Sequence, residues 1–383
     1  MRLKRYCKVA LIILALALLN ARGAQGDAGP IALSQTVAFP KSAGAPAMLH
    51  VAGTQLLTPD GKAVWLQGLC VDSLEWRAAG ENVVKSIEVA AGQWHANVIR
   101  LPIMDNFWWG RGPDQEKGDT GATYRKLVDA AVEAAASKGA YVVLDLHKFG
   151  APTAADVTFW RDAAIRYKNN PAVLFELFNE PHDISWKLWR YGGSLKEPGN
   201  PADTHVRENN QKAGTESTVG MQALVDAVRC TGARNIVIAG GLGWSYDLSG
   251  VVNGFALEEH AGGGGIMYSH HNYPWKKDWK ESLYGAAEKY PIFVGEVGCP
   301  KSWDDFKFIT KADQYEKLGP GCAWPADILG MIQTRKLNWT GFSFHPTCGP
   351  AIISDWNYTP TPYWGIFVKR ALGGEQFKMS RDR

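Results

Sequence analysis

Several chemistries have no foothold in this sequence. Glu259-His260 has no second histidine in register for H-E-x-x-H, and no G-x-S-x-G elbow occurs. A zinc protease and an elbow-type serine hydrolase are thereby excluded. Cysteine is scarce, six in 383 residues, with no C-x-x-C and no Cys/His spacing of a zinc site. The glycine run at 262–265 precedes a strand-like run instead of opening a helix, so it is no phosphate-binding turn. Positive charge is also in short supply. Of 41 basic residues, Arg2, Lys4, Arg5, Lys8 and Arg22 lie in the first 26 positions, and removing them leaves 36 against 38 acidic. That balance excludes a nucleic-acid footprint.

What is present begins with an address. Residues 1–8 carry four positive charges, 9–19 are unbroken apolar, and small residues follow. This order reads as a secretory signal over 1–26, cleaved after Gly23 or Gly26. The alternative, a membrane anchor, has too few apolar residues to span a bilayer, and no later stretch is apolar enough. A secreted or periplasmic protein without membrane attachment is expected. Residues 27–47, rich in Ala, Gly, Pro and Ser, read as a leader or linker. After cleavage Cys70, Cys230, Cys299, Cys322 and Cys348 remain, an odd number in an oxidising compartment. One bridge among Cys299, Cys322 and Cys348 is expected, the other thiols staying free.

From residue 48 the pattern becomes regular. A hairpin signal comes first, LHVAGTQLL, then TPDGK, then AVWLQGL, with Asp60-Gly61 at the turn. Eight apolar runs of strand character follow at 64–72, 97–103, 141–147, 172–180, 235–241, 265–273, 292–298 and 339–346. Helical stretches lie between most of them, at 121–139, 156–171, 217–232, 276–291 and 325–336, with a last one at 360–374. Strands alternating with helices argue for a parallel sheet, and eight of them predict an α/β fold of the (β/α)8 barrel type with a short N-terminal β-hairpin. A doubly wound open sheet is the alternative. The barrel domain is placed at 48–374, with a C-terminal tail over 375–383. An oversized loop at 181–214 is expected to shape the site.

Charged and polar residues gather where barrel enzymes work, at the C-terminal strand ends. Arg100 ends the second run, Asp145 and His147 the third, Asn179 and Glu180 the fourth, His271 and Tyr273 the sixth, and Glu296 the seventh. Glu176 and Glu180 share a strand face about 13 Å apart, so only Glu180 reaches the mouth and Glu176 is internal and structural. Two strand-end glutamates, Glu180 and Glu296, remain. Carboxyl groups about 5–5.5 Å apart are the requirement of a retaining glycosidase. Trp, Tyr and Phe number 16, 13 and 14. Many fall in the strand-to-helix loops, where flat rings suit the C–H faces of a sugar chain. Trp244 and Trp275 are the leading candidates for such contacts.

LFELFNEP with Glu180, FVGEVG with Glu296, VIRLP with Arg100, DLH with His147 and H-N-Y with His271 and Tyr273 resemble glycoside hydrolase family 5, the large cellulase family. The resemblance runs from residue 50 to 374, with the motifs in order. It implies a retaining (β/α)8 β-glycanase with Glu180 as acid/base and Glu296 as nucleophile. It further implies that Asn179 bonds the sugar 2-hydroxyl, that Arg100 and Tyr273 hold Glu296 ionised and oriented, and that His147 and His271 line the sugar site. One departure stands out. The family carries a tryptophan at the end of strand eight, where this chain reads GFSFHPTCGP with Phe342, Phe344 and His345. Phe344 is expected as the substitute platform. Neither metal nor cofactor is implied. The expected partner is a polysaccharide, a β-1,4-glucan cut internally by a monomer, with β-mannan and a non-catalytic carbohydrate-binding barrel as rival readings.

Overall fold

The computed structural model describes residues 34–36, 44–196, 216–305, 316–319 and 321–383. The signal segment 1–26, most of the leader, and the long loop from 197 to its end lie outside the described residues. Among the described residues no helix is long and apolar enough to cross a membrane.

The eight strand-like runs each become one strand: β1 (Gln67–Cys70), β2 (Val98–Ile103), β3 (Tyr141–Leu146), β4 (Val173–Glu176), β5 (Val237–Gly240), β6 (Ile266–Asn272), β7 (Ile292–Val297) and β8 (Asn338–Gly341). All neighbours are parallel, and β8 pairs with β1, so the sheet closes into a (β/α)8 barrel. Strand alternation sorts the side chains into two cores. Ile99, Leu101, Val142, Leu144, Val173 and Val237 point outward to the helices. Val98, Tyr141, Val143, Leu174, Ile238, Met267 and Phe293 point inward and fill the lower barrel. Gly68 permits the close approach of β1 to β2, since a Cβ there would stand 1.7 Å from the Val98 carbonyl oxygen.

Among the described residues six α-helices of eight residues or more pack outside: α1 (Val83–Gln93), α2 (Ala122–Ala136), α3 (Ala154–Tyr167), α4 (Gly220–Arg229), α5 (Trp324–Arg335) and α6 (Gly365–Leu372). In α2 the buried residues Tyr124, Val128, Ala131, Val132 and Ala135 form one stripe. The expected helix over 276–291 is present but shorter, over 279–287, and is wound as a π-helix at Lys280–Tyr284 before an α-turn at Gly285–Ala287. Within the π-wound stretch the Ser282 carbonyl accepts a hydrogen bond from the Leu248 N–H at 2.8 Å.

The N-terminal hairpin has one turn more than its sequence suggested. LHVAGTQLL folds back on itself at Gly53 (φ 60°), giving three antiparallel strands, His50–Ala52, Gln55–Leu57 and Ala63–Val64. This small sheet lies under the barrel. Leu49 and Leu56, with Leu66 just before β1, join the inward core and close the floor. Each such buried leucine contributes about 1.5–3 kcal/mol by leaving water.

The expected disulfide is not formed: all five described cysteines are free thiols. Cys348 makes its contact with Ser343, while the Cys299 and Cys322 thiols hydrogen-bond to each other. The C-terminal residues pack closely. Gln333 bonds the Glu375 carbonyl and the Phe377 N–H, and buried Asp327 accepts from the Ser380 N–H and pairs with Arg383 at 2.7 Å.

Candidate active site

Above the leucine floor the inward positions turn polar. Cys70, Arg100, Asp145, Glu176, Ser269 and His271 are all fully buried. Such burial is costly unless the groups satisfy one another. Arg100, on β2, does most of this. Its Nε lies 2.6 Å from Glu176 Oε2, and its Nη1 lies 2.9 Å from Glu296 Oε1. Nη2 reaches Asn179 Oδ1 at 2.6 Å and Asp145 Oδ2 at 3.0 Å. The rigid fork of a guanidinium can serve four groups at once, where an ammonium is a single point charge. Glu176 thus proves internal, held as a counter-ion beneath the mouth.

Glu296, on β7, is gripped at both oxygens, for Tyr273 Oη donates to its Oε2 at 2.5 Å. Burial pushes the Glu296 carboxyl upward, while the Arg100 charge, His147 and the tyrosine hydrogen bond pull it back. Burial and the neighbouring Glu296 hold the Tyr273 phenol well above its ordinary value, so it remains a donor. A side chain at Gly295 would meet Ser269 Oγ at 2.7 Å and Glu176 Oε1 at 3.1 Å, so the residue beside Glu296 has no room for one.

Strand β4 ends at Glu176, earlier than its sequence suggested, but the chain keeps running beside β3. The Asn179 N–H bonds the Leu146 carbonyl and the Glu180 N–H the Lys148 carbonyl, both at 3.0 Å. Asn179 and Glu180 are thereby delivered to the mouth on a rigid extension of the sheet. Glu180 Oε1 lies 2.9 Å from His271 Nδ1, and the same nitrogen is 3.6 Å from Glu296 Oε2. One oxygen from each glutamate and one His271 ring nitrogen all lie within 4.8 Å of one another. His271 is held well below its ordinary value by burial and by Arg100, so it is neutral. His147 Nδ1 bonds Asp145 Oδ2 at 2.7 Å, and burial pushes His147 down to about 4 and Asp145 up to about 7. The Asn179 amide nitrogen and His271 Nε2 have no hydrogen-bond partner among the described residues, the latter lying beside Gly295 in the barrel interior.

Glu180, His271 and Glu296 have the ligand types and spacing to hold a cation. Both oxygens of Glu296, however, are already engaged by Arg100 and Tyr273. A metal would have to displace a donor and sit against a guanidinium. The donor set therefore fits a carboxylate pair better than a metal centre.

The sequence reading and the structure part at the aromatics. Phe344 is no platform. It is 1% exposed, edge-on to Trp94 at 4.9 Å and stacked on Tyr358 at 5.5 Å. It lies three residues beyond the end of β8 and turns into the layer of α1. Phe342, directly after β8, is half-buried, and its carbonyl lies beside Gly298 in the Tyr273 neighbourhood. Trp244 is half-buried with its ring stacked on His182 at 4.4 Å, and Trp275 lies flat on Tyr273 at 4.7 Å. Phe107 and Trp108, on the short helix Asp105–Trp108, and Trp189, on the short helix Trp186–Tyr191, are core residues. Trp356 escaped notice because it follows strand eight by fifteen residues, yet it is 37% exposed. It meets His345 edge-on at 4.8 Å, opposite Trp76 at 5.4 Å.

A family model described as Cellulase (glycosyl hydrolase family 5) matches residues 57–347. Endoglucanase E-5 of Thermobifida fusca is 25% identical over 315 residues, covering 77% of this chain and 55% of that protein. Endoglucanase A of Butyrivibrio fibrisolvens is 26% identical over 282 residues, covering 70% and 56%. The chain spans about half the length of these curated relatives. Among solved structures, a β-glucanase of Saccharophagus degradans superposes with a TM-score of 0.66 at 24% identity, over 89% of this chain and 96% of that one. That β-glucanase is also known in complex with cellotetraose. The catalytic domain of Thermobifida fusca endoglucanase Cel5A gives a TM-score of 0.60 at 20% identity, over 85% and 97%. At these identities the superpositions speak for the fold.

Proposed function

The chain belongs to glycosyl hydrolase family 5, the cellulase family, and from that membership we propose that it is a retaining endo-β-1,4-glucanase. The carrying observation is the approach of Glu180 and Glu296, whose oxygens come within 4.8 Å. An inverting enzyme needs about 6.5–9.5 Å between its carboxyls to admit a water, a retaining one about 5–5.5 Å. In this reading Glu296, fixed at both oxygens by Arg100 and Tyr273, attacks the anomeric carbon. Glu180 gives its proton to the departing glycosidic oxygen, and the bond to the leaving sugar breaks as the glycosyl–Glu296 ester forms. Glu180 then takes a proton from water, whose oxygen displaces Glu296 and restores the original anomeric configuration. The Asn179 amide nitrogen supplies a donor for the sugar 2-hydroxyl, a bond that strengthens in the transition state. His147, neutral above about 4, lines the same subsite as an uncharged partner.

Internal cleavage is supported by rings on both sides of the carboxylate pair. Trp76 and Trp356 stand in the loops after β1 and β8, and Trp244 and Trp275 in those after β5 and β6. The names of the curated relatives support a β-1,4-glucan as the polymer. The signal-like segment 1–26 supports action outside the cytoplasm, where such polymers are found. An activated 2-deoxy-2-fluoro cellobioside tests the chemistry by leaving its sugar on the peptide holding Glu296. Glu180→Gln should abolish polysaccharide cleavage yet spare that labelling, because the activated leaving group needs no proton. Label on Glu180 would reverse the roles. Activity on galactomannan but not on carboxymethylcellulose would overturn the glucan assignment.

A further inference from the structure

Close enough to Glu180 to feel its charge stands a cation that the reaction as described leaves unused. Lys276 follows Tyr273 by three residues and is half-buried. Its Nζ donates to the Gly243 carbonyl at 2.9 Å and lies 4.9 Å from the centre of the Tyr246 ring and 5.6 Å from that of Trp244. Trp244 in turn stacks on His182, two residues past Glu180. The ammonium is thus caged by two aromatic faces in the wall next to the acid/base. An ammonium has three N–H donors. Among the described residues its hydrogen-bond acceptor is the Gly243 carbonyl. Burial weakens its hold on its proton, and the nearby Glu180 carboxylate strengthens it. A partly desolvated cation with donors to spare costs free energy until an acceptor arrives.

The position tells which acceptor that is. A general acid must stand beside the oxygen it protonates, so the groups past Glu180 border the departing half of the chain, while Glu296 lies under the half that is retained. Trp244, Tyr246 and Lys276 come from the loops after β5 and β6, on that departing side. We propose that Lys276 is a specificity-determining residue of the leaving-group subsite, donating a charge-assisted hydrogen bond to a hydroxyl of the first departing sugar. This deepens the glucanase reading and rests on it. A point charge on a flexible stem suits a hydroxyl, and the two aromatic faces hold the ammonium in place.

The test uses the full chain and the variants Lys276→Met and Lys276→Arg. Hydrolysis of cellotetraose, whose leaving group is a sugar, is compared with that of dinitrophenyl cellobioside, whose leaving group is not. Lys276→Met should lose about tenfold in kcat/KM on cellotetraose, hold its rate on the aryl glycoside, and still be labelled at Glu296. Lys276→Arg, which keeps the charge, should recover part of the loss. Transfer of the glycosyl group to cellobiose and to its monodeoxy analogues then separates contact from scaffolding. The wild type should discriminate against one deoxy acceptor by about tenfold, and Lys276→Met should treat it like the parent. Equal loss on both substrates, or discrimination that persists in Lys276→Met, overturns the proposal and leaves Lys276 a strut for the Trp244 loop. A wild type that cleaves and transfers no β-glucan overturns the glucanase reading itself.

Discussion

At the scale of single residues, the molecule hangs its chemistry on one guanidinium. Arg100 contacts Asp145, Glu176, Glu296 and Asn179 directly, at 2.6–3.0 Å. Arg100→Lys can serve one or two of these groups and strands the rest, and a broken buried pair costs about 3–5 kcal/mol. A fall of about thousandfold in kcat/KM is expected, with a lower melting temperature and slower labelling of Glu296. Near-normal kcat with only KM raised would mean that the fork serves binding and not Glu296. A second residue contributes to the loss of stability in acid. His270 faces out of the barrel against Tyr246, its two ring nitrogens have no partner among the described residues, and burial pushes it down to about 3. An unfolded histidine titrates near 6.5. The unfolded chain therefore binds this proton first, and stability present above 6.5 is lost as pH falls toward 3. In His270→Phe the urea midpoint should fall less steeply between pH 6.5 and 4. An unchanged slope would mean that folded His270 accepts a proton.

At the scale of elements, legibility followed periodicity. All eight barrel strands could be read because inward and outward faces are both apolar over most of each strand, which leaves continuous runs such as YVVLDL. The strand-end motifs carried Arg100, His147, Asn179, Glu180, His271, Tyr273 and Glu296 into one site for the same reason: a barrel brings every C-terminal strand end to one rim. Misreadings arose where long-range contacts overrule local pattern. The 276–291 segment is helical only over 279–287 and π-wound at Lys280–Tyr284, where the Ser282 carbonyl also takes a bond from Leu248. Helix α1, VVKSIEVAAGQ, went unread because its N-cap, Asn82, sits at φ 52° with no side-chain cap to announce it. Phe344 and Phe342 are the same residue type two positions apart, and only the path of the chain after β8 distinguishes core from mouth. Lys276 hid in a KKD run that reads as solvated surface. The C-terminal strap is likewise tertiary. Asp327 holds the Ser380 N–H at 2.6 Å and its hydroxyl at 2.8 Å, besides Arg383. Asp327→Ala should cost about 1–3 kcal/mol and let a carboxypeptidase trim the chain back toward residue 375. Unaltered trimming would assign the strap's hold to its other contacts, Gln333 with 375–377 and the Trp279 N–H on the Arg383 carbonyl.

At the scale of the whole molecule, the barrel has a dry end and a wet end, and its ring is sealed by its two most distant strands. Trp339 pairs with Gln67, the Trp65 Nε1–H donates to the Leu337 carbonyl at 2.6 Å, and the Leu66 N–H bonds Asn338 Oδ1 at 2.9 Å. These bonds join residues 272 positions apart. The consequence lies in time. While the ribosome is still short of β8, seven strands can assemble only as an open sheet with two bare edges, the arrangement most prone to pair with a neighbour. Order should therefore arrive late and in one step. Nascent chains halted after residue 300 should be cut readily by a dilute protease, and those released beyond residue 374 should resist it, with no graded series between. Gradual protection with increasing length would mean that half-barrels stand alone before the seam is sewn.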